Sequence, residues 1–349
     1  MHLSAAESKS IFTQAPCRAD LAGGTLDLWP LYLFHPGAVT VNFAVNIMTS
    51  CRITPAPGKQ IRLRSLDTRK EDVFASLDDL VKSKTPKHGL AHQLVKFFNP
   101  EGGFILETNS ESPAGAGISG SSALMIATTA ALARYAGRKI SLEEMRVIAQ
   151  NIEAQLIQVP TGCQDYYPAL YGGVNSIHLD VAGIRREGVA ASADDIDSRF
   201  LVVYTGAPRQ SGINNWEVFK AHINGDKKVV KNFETISEIS QGMHTAMKSA
   251  DWDQVAYLIR EEWKLRRSNH DGISTPLIDR LIAVAAKTGG RAAKVCGAGG
   301  GGCVLFMVKD GARDRVVEAL RINGGEVLPC KLSTEGLTVK TQIVKAAKA

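Results

Sequence analysis

The chain has no pair of cysteines at C-x-x-C spacing. Its six cysteines, at 17, 51, 163, 296, 303 and 330, are scattered. That excludes a zinc ribbon or a dithiol motif and makes a reducing compartment the simplest reading. No uninterrupted apolar run reaches membrane length, so no membrane partner is expected. The first ten residues, MHLSAAESKS, lack a basic segment followed by an apolar core, and the expectation is a cytoplasmic protein. Aromatic residues make up 6% of the chain and do not alternate with a basic run, and the net charge of +6 is mild for 349 residues. A nucleic-acid partner is therefore not implied, although a modest positive bias suits a protein that handles small anions. With 44% hydrophobic and 22% charged residues, the composition is that of a folded chain long enough for two domains. Oligomeric state is not encoded in any of these features.

Glycine, by contrast, is plentiful, and its placement organises the chain. A β-like run, Phe104 to Thr108, feeds a loop holding Gly115, Gly117 and Gly120, which opens into an alanine-rich helix that Gly137 can close. Glycines let the main chain approach a ligand, and the first N–H groups of the helix and its dipole favour an anion, so the ligand this build suits is a polyphosphate. A plain Gly/Ser connection is the bland alternative. Residues 115–120 also fit G-x-G-x-x-G, but a dinucleotide fingerprint needs its first glycine at the strand end and a second strand after the helix. Here Pro113 intervenes, and the segment from Ser141 reads as another helix. Residues 115–122 fit a P-loop except that Ser121 stands where its lysine belongs, which argues against a Walker-type ATPase.

The stretch Pro113-Ala114-Gly115-Ala116-Gly117-Ile118-Ser119-Gly120-Ser121-Ser122-Ala123 resembles the phosphate motif P-x-x-x-G-L-G-S-S-A of the GHMP small-molecule kinases. Ser119 and Gly120 are inverted relative to that motif, and Ser121 keeps the place of its Mg²⁺-holding serine. Two further stretches carry the same resemblance. Arg18-Ala19-Asp20-Leu21-Ala22-Gly23-Gly24-Thr25-Leu26-Asp27 is similar to the substrate motif of the sugar-kinase branch, in its heptose-kinase form R-I-S-F-A-G-G-G-T-D. The Glu-His pair of galactokinases is absent. Gly162-Cys163-Gln164-Asp165, followed by Gly172-Gly173, matches the G-x-Q-D pattern that carries the family's catalytic aspartate.

Along the rest of the chain, Ile11 to Ile53 alternates short β-like runs with turns, and His88 to Phe98 reads as a helix. Ser141 and Glu144 form a capping box ahead of the apolar stripe Met145, Ile148, Ala149, Ile152 and Leu156. Glu153 lies beside that stripe, where a boundary glutamate reaching water is the bland reading. Asp165 alone reads equally well as a helix cap. A polar segment from Gly183 to Ser198 marks a soft domain boundary. Helical patterns then cover 228–249, 251–268 and 276–287, and Tyr204-Thr205-Gly206 with Arg209 resembles a heptose-kinase stretch. His270 has no metal-ligand or nucleophile neighbour and reads as structural. The run Cys296 to Cys303 also fits G-x-G-x-x-G, but a β-like run follows it, so a hairpin is the bland reading. It resembles the third GHMP motif, and the chain is predicted to end with a helix near 313–322 and strands near 326–332 and 336–343.

The resemblance implies an α+β, two-domain GHMP kinase fold: an N-terminal domain over 11–195 with the phosphate loop and catalytic aspartate, and a ferredoxin-like C-terminal domain over 196–349. It implies ATP and Mg²⁺ as cofactors, with Pro113, Gly115, Ala116, Gly117, Ile118, Ser119, Gly120, Ser121 and Ser122 at the nucleotide and Ser121 with Glu153 at the metal. Asp165 and Arg18 become the catalytic pair. The acceptor, a sugar or sugar phosphate, is expected against Arg18, Gly23, Gly24, Asp27, Gly162, Gln164, Asp165, Gly299 and Gly300. The branch implied is that of the anomeric sugar kinases, above all the D-glycero-D-manno-heptose 7-phosphate kinases. An isoprenoid kinase of the mevalonate kinase type and a non-catalytic sugar or nucleotide sensor on the same fold are the alternatives.

Overall fold

The computed structural model describes residues 7–208 and 211–345, so Arg209 lies outside the described residues. Two long strands, β1 (Glu7–Ala22) and β2 (Val39–Ala56), form its axis. They read as short runs from sequence because prolines interrupt them. Pro16 has no N–H to give the ladder, and the register shifts between Pro16 and Cys17 without ending the strand. Next come β3 (Ile61–Ser65), β4 (Lys70–Phe74), α1 (Leu77–Lys82), α2 (Gly89–Phe98) and β5 (Gly103–Ser110). The first half continues through α3 (Gly120–Tyr135), α4 (Leu142–Ile157), α5 (Tyr166–Tyr171) and the hairpin β6 (Val174–Asp180) with β7 (Gly183–Val189). The polar sequence of β7 hid this strand.

On its edge away from β1, β2 pairs with β6 through its first residues and with β5 through its last. Its first seven residues are all buried, whereas the remainder alternates, so only the first half is covered on both faces. Helices α3, α5 and α8 (Lys227–Lys248) all pack on β2. Helix α3 is buried almost all round, from Ser122 and Ala123 through Met125 to Ala133, as expected of a core helix rather than an amphipathic one. The capping box at the start of α4 forms as its sequence spells it, with Ser141 accepting from the Glu144 N–H and Glu144 accepting in return.

The second half contains α6 (Ala193–Arg199), β8 (Phe200–Tyr204), α7 (Ser211–Ile223), α8 (Lys227–Lys248), α9 (Trp252–Arg267) and α10 (Pro276–Thr288). It continues with β9 (Gly290–Val295), β10 (Cys303–Val308), α11 (Arg313–Ile322) and β11 (Glu326–Val327). Its sheet runs β11-β8-β10-β9, all antiparallel. Helix α8 packs on β1 and β2 and α9 on β1 and β9, which joins the two sheets. The final strand, β12 (Thr338–Lys345), corrects the reading of 196–349 as one unit, because it leaves this sheet and pairs antiparallel with β1 in the first. The free edge of β1 is thereby covered.

The return path of the chain crosses α5 at close quarters. Gly172 has φ +66°, and a Cβ there would lie 2.4 Å from the Glu335 carbonyl carbon; one on Gly336 would lie 2.3 Å from the Leu170 oxygen. Gly172→Ala combines a left-handed backbone with a backbone collision and is expected to lower stability by more than about 2 kcal/mol. Chemical denaturation checks this: an unchanged midpoint would show that the crossing is not close-packed.

Candidate active site

The glycine loop between β5 and α3 is held by left-handed residues, Gly115 at φ +67° and Gly117 at +76°, and it ends on Ser119 at φ +65°. Ser119 is the N-cap of α3, yet its side chain caps nothing, and its buried Oγ has no hydrogen-bond partner. A left-handed position favours glycine, the residue that the family motif has there, and costs a serine about 1–2 kcal/mol. The inverted pair has a steric reason: a Cβ on Gly120 would lie 2.9 Å from both Cβ and Oγ of Ser112, leaving no room for a serine at 120. The first-turn N–H groups of α3 thus stand at the cleft with no cap residue across them, together with a hydroxyl whose hydrogen-bonding capacity is unused.

In the first turn of α3, Ser121 and Ser122 meet Glu153 of α4. Ser121 donates to its Oε1 at 2.8 Å and Ser122 to its Oε2 at 3.0 Å. Tyr166 donates to the same Oε2 at 2.5 Å. Glu153 is buried, and burial pushes its carboxyl above the ordinary range, although these three donors partly oppose that rise. The two residues expected at a metal are therefore in direct contact, and Tyr166 is a partner that spacing did not reveal.

Arg18 lies on β1 where the bulge has turned it inward, and it is buried. Its Nε donates to Asp165 Oδ1 at 2.8 Å, with Nη2 2.6 Å from the same oxygen. Its Nη1 donates to the carbonyls of Gly117 at 2.8 Å and Cys296 at 2.6 Å. Burial works against its charge, but the carboxylates of Asp165 and Asp20 outweigh it and hold the guanidinium pKa above its usual value. Asp165 sits at the N-cap of α5 without capping it; its side chain is a quarter exposed and faces the cleft. Beside it, buried Asp27 accepts from the Gln164 N–H at 2.9 Å. Burial pushes the Asp27 carboxyl up to about 6, against that hydrogen bond. Gly162 is required here for space, since a Cβ would lie 2.0 Å from Asp27 Oδ2.

These groups line one cleft of about 790 Å³. Of the sequence-predicted residues, Arg18, Asp27, Gly162, Gln164, Asp165, Glu153, Pro113, Gly115, Ala116, Gly117 and Ser119 to Ser122 reach it. Ile118 does not. It is a core residue whose carbonyl accepts from the Arg18 N–H at 2.9 Å. Gly23 and Gly24 stand behind the wall: a Cβ on Gly23 would lie 2.2 Å from the Val39 oxygen, and one on Gly24 would lie 2.5 Å from Arg266 Nη1. Gly299 and Gly300, expected at the acceptor, turn away from the cleft. Gly300 N–H donates to the Ile273 carbonyl at 3.0 Å, and a Cβ on Gly299, at φ +83°, would lie 2.3 Å from that oxygen. Gly297 and Ala298 line the cleft instead. The far end of the same loop does touch the glycine loop, where Cys303 N–H donates to the Ala116 carbonyl at 2.6 Å. His270 is structural, its Nδ1 accepting from the Gly272 N–H at 3.0 Å.

Sequence reasoning also passed over a buried charge cluster behind the cleft. Lys294 Nζ donates to Asp20 Oδ2 at 2.7 Å and to Glu262 Oε1 at 2.9 Å, while Arg266 donates to the Gly297 carbonyl at 2.8 Å. Burial alone would raise Asp20, but Lys294 and Arg266 outweigh it and lower its pKa; at Glu262 burial prevails and the pKa rises. One signal was available: Glu262 and Arg266 fall on the Val255, Ile259, Trp263 face of α9, where an amphipathic helix places apolar residues.

Comparison with known proteins agrees with this geometry. Residues 86–173 match the GHMP kinases N terminal domain and 243–326 match the GHMP kinases C terminal family. The chain is 26% identical over 344 residues to a D-glycero-alpha-D-manno-heptose 7-phosphate kinase of Campylobacter jejuni, covering 94% of this chain and 98% of that one. It is 24% identical over 330 residues to a mevalonate kinase of Thermococcus sibiricus, covering 87% and 92%. Among solved structures, Lactococcus lactis galactokinase superposes with a TM-score of 0.79 at 18% identity, covering 94% of this chain and 95% of that one. With both family domains matched in order around one cleft, and with that fold throughout, the chain belongs to the GHMP kinase superfamily of small-molecule kinases.

Proposed function

We propose that the protein transfers the γ-phosphoryl group of ATP to the anomeric hydroxyl of a sugar phosphate of the heptose 7-phosphate type. The observation that carries this reading is the Asp165 carboxylate, held by Arg18 and facing a cleft that also contains the start of α3 and the Ser121–Glu153 pair. The whole-length similarity to a heptose 7-phosphate kinase favours that acceptor class. The donor set suits a nucleotide with a hard cation: main-chain N–H groups and the unpartnered Ser119 hydroxyl for phosphate oxygens, and a hydroxyl with a carboxylate for Mg²⁺. When bound, Mg²⁺·ATP supplies the phosphoryl group and neutralises charge on it.

In this reading the chain's own residues position and stabilise. Asp165 orients the acceptor hydroxyl and accepts its proton, and an anomeric hydroxyl, being more acidic than an ordinary alcohol, needs only a weak base. Arg18, beside that carboxylate, supplies positive charge to the transferring phosphoryl group. Asp27, one layer behind, accepts hydrogen bonds from the sugar's other hydroxyls. Phosphoryl transfer depends mainly on such positioning and electrostatics.

A panel of sugar phosphates, free sugars and mevalonate, followed by ATP consumption and phosphorus NMR of the product, tests the proposal. The expected product is a sugar 1-phosphate without a free reducing end, and Asp165→Asn is expected to lower kcat by roughly 10²–10⁴-fold with nucleotide binding intact. Transfer to a primary hydroxyl or to mevalonate, or near-normal kcat in the variant, would sink it.

The Asp27 carboxyl, pushed up to about 6, gives the acceptor step a pH dependence. As pH falls through about 6 the acceptor loses its ionised partner, so kcat/KM for the acceptor should fall there in wild type and not in Asp27→Asn. The stability effect has the opposite sign. A raised folded-state pKa favours the fold below the ordinary carboxylate range, and this advantage is lost as pH rises through about 6, leaving a cost of about 3 kcal/mol in the ionised state. Asp27→Asn should thus be slower with acceptor yet melt higher at pH 8. A variant with an unchanged pH profile and an unchanged or lower Tm would show that burial of this carboxyl has neither consequence.

A further inference from the structure

Away from the cleft, one face of the β6–β7 hairpin carries a second cluster of side chains. Ser176 stands opposite Glu187 in the ladder, and His178 lies two residues along β6, so all three project from the same face of the hairpin. That face meets His244 of α8. His178 Nε2 is 3.1 Å from Glu187 Oε2, and His244 Nε2 is 3.8 Å from the same oxygen, too far for a hydrogen bond. One ligand atom from each of His178, Glu187 and His244 lies within 4.8 Å of the others. Donors about 2.0–2.1 Å from a tetrahedral ion are about 3.3–3.5 Å apart, so small rotations of three partly buried side chains bring them to that spacing.

We propose that His178, Glu187 and His244 form a site for a divalent transition ion of the Zn²⁺ class, which fastens the hairpin of the first sheet to α8. Two imidazoles and one carboxylate are a borderline donor set, suited to Zn²⁺ and unsuited to Mg²⁺, so the site is chemically distinct from the cleft. The supporting shell is already built. His244 Nδ1 is 2.8 Å from the Oγ of fully buried Ser176, an arrangement that directs Nε2 of that ring to the common centre. The cations around Glu187 divide its oxygens. Lys248, one turn along α8, donates to Oε1 at 2.9 Å, while Arg185 is 3.7 Å from Oε2. Both side chains are more than half exposed and can turn to solvent when an ion takes Oε2. Lys248 is therefore a competitor of the ion, not a ligand.

The test is competition between the chelator-treated full chain and a chromophoric zinc chelator, in excess Mg²⁺. One equivalent of Zn²⁺ should bind, with at least about tenfold weaker affinity in His178→Gln and in His244→Gln and about tenfold weaker affinity in Ser176→Ala. Lys248→Ala should bind more tightly, an effect that a purely structural histidine–glutamate contact would not produce. Absence of a saturable equivalent, or equal binding by the His178→Gln/His244→Gln double variant, would overturn the site. Should a histidine variant fail to fold, Lys248→Ala decides: tighter binding upholds the site, and unchanged or weaker binding overturns it.

Discussion

The cleft depends on one buried guanidinium. Arg18 joins three segments that are far apart in the chain: the glycine loop through the Gly117 carbonyl, the end of β9 through the Cys296 carbonyl, and the α5 loop through Asp165. Its own N–H adds a fourth bond, to Ile118. A buried charge is costly unless it is paired and its donors are occupied, and a planar fork of five N–H groups meets that condition where an ammonium would leave gaps. Arg18 also brings together the loop suited to phosphate and the carboxylate suited to a hydroxyl, which is the geometric requirement of phosphoryl transfer.

The same strand does this twice. Two residues after Arg18, Asp20 binds Lys294 of β9, which in turn holds Glu262 of α9, so β1 is pinned to the second sheet by alternate inward charges. The register shift at Pro16 and Cys17 sets which residues of β1 face inward at this point, and the second shift, between Asp20 and Ala22, precedes the turn that brings Thr25 and Asp27 to the cleft. Gly24 and Gly162 then serve for space, letting Arg266 and Asp27 sit directly against main chain. The wall of the cleft around Asp27 is therefore a consequence of strand irregularities.

Much of this was legible in the sequence where the chemistry is local. The glycine loop with its helix, the capping box of α4, and the strand-to-glycine turn around Asp27 each draw their signal from neighbouring residues. What escaped was set by distant partners. Tyr166 looks like any core aromatic until Glu153 is placed beside it, and Lys294, 274 residues from Asp20, looks like a strand lysine facing water. β12 was readable as a strand, but nothing in its residues says that it returns to β1. Gly299 and Gly300 misled because a glycine run signals close approach without saying to what, and here the approach is to Ile273. Ser119 and Gly120 were visible as an inverted pair, whereas the reason for it, Ser112, requires coordinates.

The central claim, that Arg18 and Asp165 act as one unit, is tested most directly by a double-mutant cycle on single-turnover phosphoryl transfer, using Arg18→Lys, Asp165→Asn and the double variant. Lysine keeps the charge and loses the fork. Groups that act as a unit lose their function together, so the account predicts that the double variant is scarcely slower than the worse single variant. Losses that multiply across the cycle would contradict it.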